Sequence, residues 1–208
     1  MQGKHMRNYI VVLFLSALAF LPGYVLFRIL LYKRSGVRPV PEREVVLAVF
    51  VLYMCGLFVL LFRGSESYRF SAMLYSAYER LQSGTGIQLM PLRTVRTFSR
   101  IMGSPAFMSN IVGNVLLFIP IGLFLPLLWQ RWQHRRKMCL LAVCLPVLIE
   151  FLQLFVGRYT DIDDVLLNAI GILLGYMLFC RIKRLPGQKF ERLSAPQKKK
   201  DSGKPELA

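Results

Sequence analysis

The sequence predicts an all-α, polytopic integral membrane protein, a bundle of about five transmembrane helices. Hydrophobic residues make up 55% of the 208-residue chain, charged residues only 18%, and the mean hydropathy is +0.47, which lies outside the usual range of soluble domains. Several apolar runs also approach the roughly 20 residues needed to cross a bilayer core of about 30 Å. The predicted spans are Tyr9–Tyr32, Val45–Phe62, Ser109–Trp129, Met138–Val156 and Asp164–Arg181.

These spans divide the chain into four parts. Residues 1–62 are predicted to hold two N-terminal transmembrane helices, the first kinked at Pro22-Gly23. A cleaved signal peptide is the alternative interpretation of the first run, although its apolar stretch is long for one. Residues 63–108 are predicted to be a long outer-face loop and residues 109–181 a three-helix core. Residues 182–208, rich in Lys, Pro, Ser and Gln, are predicted to be a disordered basic tail.

The distribution of positive charge predicts the orientation. Eighteen of the 27 Lys and Arg residues border one side of the predicted spans or lie in the tail, and nine lie on the other side. The positive-inside rule therefore places the N-terminus outside the cell membrane and the C-terminus in the cytoplasm. Anionic lipid accounts for the net charge of +16, so we do not expect nucleic acid as a partner.

Polar residues in the core are the main indication of function. Four of the eleven acids in the chain fall within Glu150–Asp164, next to hydrocarbon-like sequence. Ionisable groups inside a membrane span are costly and are usually paired and functional. Counting about 1.5 Å per residue from the predicted outer ends, Asn114, Glu150 and Asn168 reach similar depths of roughly 6–9 Å. We therefore expect the three predicted core helices to bring these side chains together beneath the outer surface.

Helical spacing assigns the polar residues to faces. Glu150 and Gln153 are three residues apart and can share one groove. A stripe on the last span carries acids, an amide and then two glycines, and the small-xxx-small glycine pair should let another helix approach closely. Arg158, the one cation of the short predicted outer loop, is expected to pair with a neighbouring acid. The stripe consists of Asp161, Asp164, Asn168, Gly171 and Gly175.

The sequence resembles the VanZ-like family of bacterial membrane proteins at these residues. The matching motifs are Asn114–Gly122, Glu150–Gln153 and Arg158–Gly175, with a weaker upstream motif at Ile87–Val95 in which Leu92 stands where the family often has Phe. The resemblance covers roughly Ile87–Cys180, and it leaves out the first two spans and the tail. It implies a cell-envelope role in sensitivity to glycopeptide antibiotics such as teicoplanin, with membrane lipid, a lipid-linked cell-wall precursor or a lipoglycopeptide as partner.

Several functional classes stay open. In a binding protein, Asn114, Gln153, Asp161, Asp164 and Asn168 would line an outward-facing polar groove for substrate. In an enzyme acting on a lipid-linked phosphate or cell-wall precursor, Glu150 would be the catalytic acid or base and Arg158 would hold the anion.

The carboxylates could also hold a divalent cation, so metal dependence is left open, and no cofactor is expected. A transporter is less favoured, because the halves of the chain show no repeat. The remaining alternative is purely structural, with the polar groups serving as hydrogen bonds between helices.

Overall fold

The structure is a computed structural model, and it describes residues 21–34, 39–62, 70–93, 96–97, 108–184 and 193. Nearly all of the described residues are helical. In chain order the elements are α1 (residues 21–34), α2 (Pro41–Phe62), α3 (Phe70–Ser83), β1 (Ile87–Gln88), a π-helical turn (Met108–Val112), α4 (Gly113–Leu128), a 3₁₀ turn (Gln130–Trp132), α5 (Arg135–Phe155), β2 (Thr160–Asp161) and α6 (Ile162–Lys183).

Four of these helical segments are long and apolar enough to cross a membrane. They are Pro41–Phe62, Asn110–Leu128, Arg135–Phe155 and Ile162–Lys183. Their bounds agree within a few residues with four of the five predicted spans. Residues 9–20 of the first predicted span lie outside the described residues, and its remainder falls in α1.

The closest contact between helices joins α4 and α6 through glycines. A methyl carbon built on Gly122 of α4 would lie 1.9 Å from the carbonyl oxygen of Ile172, and one built on Gly175 of α6 would lie 2.0 Å from that of Ile119. Only hydrogen fits at these positions, so the two backbones touch directly. The predicted close approach of another helix to the glycine pair on the last span is confirmed.

The apolar core lies around this contact. Phe118 and Ile121 of α4 and Ile172 of α6 are almost completely buried, and Leu57 brings α2 against them. The opposite face of α5 leaves large apolar side chains exposed, as a lipid-facing helix does. They include Leu140, Val143, Val147, Leu148 and Phe151.

Helix α3 lies in the segment predicted to be a loop. The structure corrects that prediction for Phe70–Ser83, which forms a 14-residue helix that buries Ala77 and contacts α5. Apolar run length did not predict this helix, because it has only 14 residues and its apolar residues are interrupted by polar ones such as Glu79 and Arg80.

Part of the predicted disordered tail is ordered, because residues 182 and 183 belong to α6 and Leu193 is packed. Leu193 lies against the main hydrophobic cluster, and its carbonyl oxygen accepts a hydrogen bond of 2.8 Å from Nε of Arg43 at the start of α2. This contact departs from the prediction of an unpacked tail. Residues 185–192 and 194–208 lie outside the described residues.

Candidate functional site

The candidate site is built on the sharp turn between α5 and α6. Helix α5 ends at Phe155, and the backbone oxygen of Gln153 accepts from the backbone N–H groups of both Val156 and Arg158. Gly157 takes a left-handed conformation with φ of 74°, which glycine adopts without steric cost. The chain therefore reverses within a few residues and brings the end of α5 next to the start of α6.

A capping interaction then starts α6. Asp161 has extended backbone angles, and its Oδ1 accepts from the backbone N–H of Asp163 at 2.9 Å. This is the arrangement that favours aspartate before a helix, because the first N–H groups have no partner within the helix. The helix start is consequently fixed directly beside the end of α5.

Glu150 joins the two helices through the backbone. Its side chain is only 4% exposed, and Oε2 accepts the backbone N–H of Asp161 at 3.1 Å. The carboxylate also lies close enough to Asp164 to interact with it electrostatically. The buried Glu150 of α5 thus stabilises the residue that precedes α6.

Asn114 extends this cluster to α4. Its Nδ2 donates to Oδ1 of Asp164 at 2.6 Å, which forms a polar bridge between α4 and α6. Side chains of α4, α5 and α6 thus interact at Asp164, while the predicted convergence of Asn114, Glu150 and Asn168 stays a prediction. Asn168, one turn further down α6, is 3% exposed, and its Oδ1 has no hydrogen-bond partner among the described residues. It therefore lies within the bundle and not on an exposed face.

Arg158 and Gln153 both bind the last turn of α2. Nη1 of Arg158 donates to the carbonyl oxygens of Leu60 at 2.8 Å and Leu61 at 3.1 Å, and Nε2 of Gln153 donates to that of Leu61 at 3.0 Å. These are carbonyls that a helix end leaves without partners. Arg158 also interacts electrostatically with Glu150 and Asp164, two of the acids predicted as its partners, while its described hydrogen bonds go to main-chain oxygens of α2.

Residues 84–93, which we call the strap, cross over this turn. β1 pairs in parallel with β2, with Ile87 opposite Thr160, and the Thr160 N–H donates to the carbonyl of Gly86 at 2.9 Å. At the other end, the backbone N–H of Leu92 donates to Oδ1 of Asp163, a side chain that is completely buried. The strap is therefore fixed to the α5–α6 turn at both ends.

Helix α3 holds the turn from the side. The guanidinium group of Arg80 donates to the carbonyl oxygens of Gly157 at 2.9 Å and Arg158 at 2.8 Å. Two planar donors of one arginine thus satisfy two successive carbonyls that the turn leaves without helical partners.

An open cavity of about 840 Å³ lies between the strap and the α5–α6 turn. Two arginines and two aspartates contribute charge to its wall, together with several hydroxyl and amide groups. Of the predicted site residues, Arg158, Asp161 and Asp164 line it, whereas Asn114, Glu150, Gln153 and Asn168 do not. The lining residues are Gly86, Ile87, Gln88, Arg93, Thr97, Asn110, Gly157, Arg158, Tyr159, Thr160, Asp161 and Asp164.

The side chains of the cavity wall can bind both anions and hydrogen-bond donors. Among the described residues no group of three or more His, Cys, Asp or Glu side chains is placed to hold a metal ion. Guanidinium groups bind phosphate and carboxylate with directed hydrogen bonds, and carboxylates accept hydroxyl or ammonium donors. The wall therefore offers partners for an anionic group and for hydrogen-bond donors on the same ligand.

Sequence reasoning missed three residues of this arrangement. Asp163 was indistinguishable from its acidic neighbours, although only Asp163 is fully buried and holds the strap. Arg80 and Arg93 lie in the segment predicted to be a loop, where no helical pattern assigned them to a face. The upstream motif containing Leu92 and Arg93 was the available signal, because a motif ahead of the core suggests a contact with it.

Comparison with known proteins identifies one family. The profile of the VanZ/LLP1 family matches residues 50–184, which is more than half of the chain. The match begins within α2, so leaving out the second span from the resemblance was wrong. No curated protein and no solved structure matches the chain.

Proposed function

This chain belongs to the VanZ/LLP1 family, and on that basis we propose that it binds a lipid-linked component of the bacterial cell envelope. The ligand occupies the open cavity beneath the strap with its polar headgroup. Binding there lowers the sensitivity of the cell to glycopeptide antibiotics of the teicoplanin type. In this proposal the chain is a multi-pass protein of the cell membrane, with its N-terminus outside and its C-terminus in the cytoplasm.

The observation that carries the proposal is the position and chemistry of the cavity. It is lined by Arg158, Asp161 and Asp164, where one apolar helix ends and the next begins. In a membrane, that level corresponds to the boundary between hydrocarbon and headgroups. Tyr159 is 80% exposed at this rim, and aromatic residues with a polar end favour that boundary.

A lipid can use both parts of this surface. Its headgroup would bind the charged wall, while its chain would lie along the exposed apolar side chains of the helices below. Leu89 and Met90 of the strap follow directly after Gln88, which lines the cavity, and both are exposed. A ligand without an apolar chain would not bury these apolar side chains on binding.

The placement of Glu150 favours binding over catalysis. An acid or base must come within hydrogen-bond reach of the reacting atom, directly or through one water. Glu150 does not line the cavity, and Oε2 already accepts the N–H of Asp161. Its role in this proposal is to hold Asp161 and the start of α6 in place.

Drug sensitivity of a susceptible bacterium expressing the chain tests the proposal. The wild type should reduce sensitivity to teicoplanin more than to vancomycin, because teicoplanin carries an acyl chain that enters the membrane. Arg158→Ala should abolish the effect, and so should Glu150→Ala, which removes the acceptor for the Asp161 N–H. Glu150→Gln keeps a carbonyl oxygen as acceptor and should retain most of the effect. Arg136→Ala, an exposed arginine at the opposite end of α5, is the matched control and should retain it.

Membrane insertion of each variant must be measured alongside, by its yield in the membrane fraction. Equal resistance from the wild type and from well-inserted Arg158→Ala would contradict a role of the cavity. No resistance from the wild type would contradict the antibiotic part of the proposal.

A further inference from the structure

We propose that Arg93 and Arg158 together form a binding site for a phosphate group in the cavity, and that Asp163 is the residue that positions Arg93. This inference rests on the proposed function and names the chemical class of its ligand. The two arginines come from different parts of the chain, Arg93 from the strap and Arg158 from the α5–α6 turn, and both line the same cavity.

Both guanidinium groups retain donors for a ligand. Each arginine has five N–H donors. Arg158 uses Nη1 for the carbonyls of Leu60 and Leu61, and Nη1 of Arg93 reaches Oε1 of Gln88 at a long 3.3 Å. Within the described residues, the other guanidinium nitrogens of these two arginines make no hydrogen bond, and both side chains are exposed. Planar guanidinium donors match phosphate oxygens in pairs, which makes phosphate the anion that two such groups recognise best.

The two carboxylates of the wall do not cancel this preference. Oδ1 of Asp161 accepts the N–H of Asp163, and Oδ1 of Asp164 accepts the amide of Asn114. Both aspartates also lie at the N-terminus of α6, where the helix dipole offsets negative charge. Each aspartate therefore already has a hydrogen-bond donor, whereas the remaining guanidinium nitrogens of the two arginines have no acceptor among the described residues. The acids remain available as acceptors for hydroxyl groups next to the phosphate.

Asp163 sets the position of Arg93 through the backbone of Leu92. Leu92 has φ of 63°, a left-handed conformation that a leucine rarely adopts and that is strained for a non-glycine residue. Its N–H donates to the completely buried Oδ1 of Asp163, which stabilises this conformation. Because Arg93 follows directly, the bond determines the direction in which the strap presents that side chain to the cavity.

The ligand probe for the test is a polyprenyl monophosphate, with the matching polyprenyl alcohol and inorganic phosphate as comparison ligands. Each is titrated against the full chain in mild detergent. The wild type should bind the lipid phosphate at least about tenfold more tightly than the alcohol, as expected for charge-assisted hydrogen bonds. Arg93→Ala and Arg158→Ala should each remove that difference and leave alcohol binding unchanged. Arg136→Ala should bind both lipids like the wild type.

The positioning role has its own pair of variants. Asp163→Ala removes the acceptor for the Leu92 N–H and should weaken phosphate binding as much as Arg93→Ala does. Asp163→Asn keeps a carbonyl oxygen as acceptor and should restore most of the affinity. If Asp163→Asn and Asp163→Ala weakened phosphate binding equally, the positioning role would be overturned, because that role requires only an acceptor for the Leu92 N–H.

The outcomes separate the phosphate site from the proposed function. Wild-type binding with no loss in Arg93→Ala would reject Arg93 as a ligand-binding residue and leave lipid binding intact. Equal wild-type affinity for alcohol and phosphate would reject phosphate recognition. Tight binding of inorganic phosphate alone, lost in Arg93→Ala, would support the site but assign it to free phosphate. No binding of any of the three would overturn both proposals.

Discussion

The contact between α4 and α6 and the contact between the strap and the α5–α6 turn are held by different kinds of interaction. Glycines bring the two helix backbones together, with Gly122 against Ile172 and Gly175 against Ile119. The strap is held by hydrogen bonds, from Leu92 to Asp163 and from Thr160 to Gly86. The first contact excludes any added atom, and the second depends on a few directed bonds near solvent. We infer that the helix contact determines whether the bundle forms, and that the strap determines the shape of the cavity.

The largest expected effect comes from adding one methyl group to the helix contact. Gly175→Ala would place that group 2.0 Å from the carbonyl oxygen of Ile119, which neither backbone can accommodate without moving apart. We expect a loss of at least about 3 kcal/mol in the free energy of unfolding, or no folded protein, as for severe overpacking. Thermal unfolding in detergent measures it.

Gly23→Ala is the matched control. It adds the same methyl group to a helical glycine that has no other heavy atom within 4 Å of the new carbon. Its stability should be unchanged or higher by up to about 1 kcal/mol. Equal tolerance of both substitutions would show that the glycine contact does not determine folding.

A smaller effect is expected from removing the lateral support of the turn. Arg80→Ala eliminates two hydrogen bonds to the carbonyls of Gly157 and Arg158, each worth about 0.5–1.5 kcal/mol. Arg80 is only half-buried, which reduces this, so we expect a loss of about 1 kcal/mol and faster amide hydrogen exchange at residues 157–161. Gln82→Ala, exposed on the same helix, should change neither. Unaltered exchange in Arg80→Ala would mean that the turn is held without α3.

The smallest effect concerns the conformation of the strap. Glycine adopts positive φ without strain, so Leu92→Gly should leave the melting temperature unchanged or slightly higher. Leu92→Val, with a β-branched side chain, should be less stable than Leu92→Gly by about 1 kcal/mol. The opposite order would indicate that packing of Leu92, and not its backbone conformation, determines stability there.

Much of the helix contact was predictable, because it follows from local pattern. Apolar run length located four spans within a few residues, and the spacing of Gly171 and Gly175 indicated a close helix neighbour. Matched depth predicted that Asn114 and Glu150 would lie close together, and both interact with Asp164. These features depend on residues near one another in sequence or on helix periodicity alone.

The hydrogen bonds of the site were not predictable in the same way. Charge pairing predicted acids as partners of Arg158, but it gave no indication that the guanidinium group also donates to the carbonyls of Leu60 and Leu61, almost a hundred residues earlier in the chain. Asp163 holds a backbone N–H more than seventy residues away. Backbone N–H and C=O groups are the same in nearly every residue, so a sequence pattern cannot indicate which of them a side chain will bind.

The central claim is that the cavity binds a lipid headgroup, and native mass spectrometry of the protein extracted from membranes in mild detergent tests it most directly. We expect the wild type to retain a co-purifying phosphate-bearing lipid, and Arg158→Ala to lose it while Arg136→Ala keeps it. A wild type that carries no such lipid, or the same lipid occupancy in all three proteins, would contradict the claim.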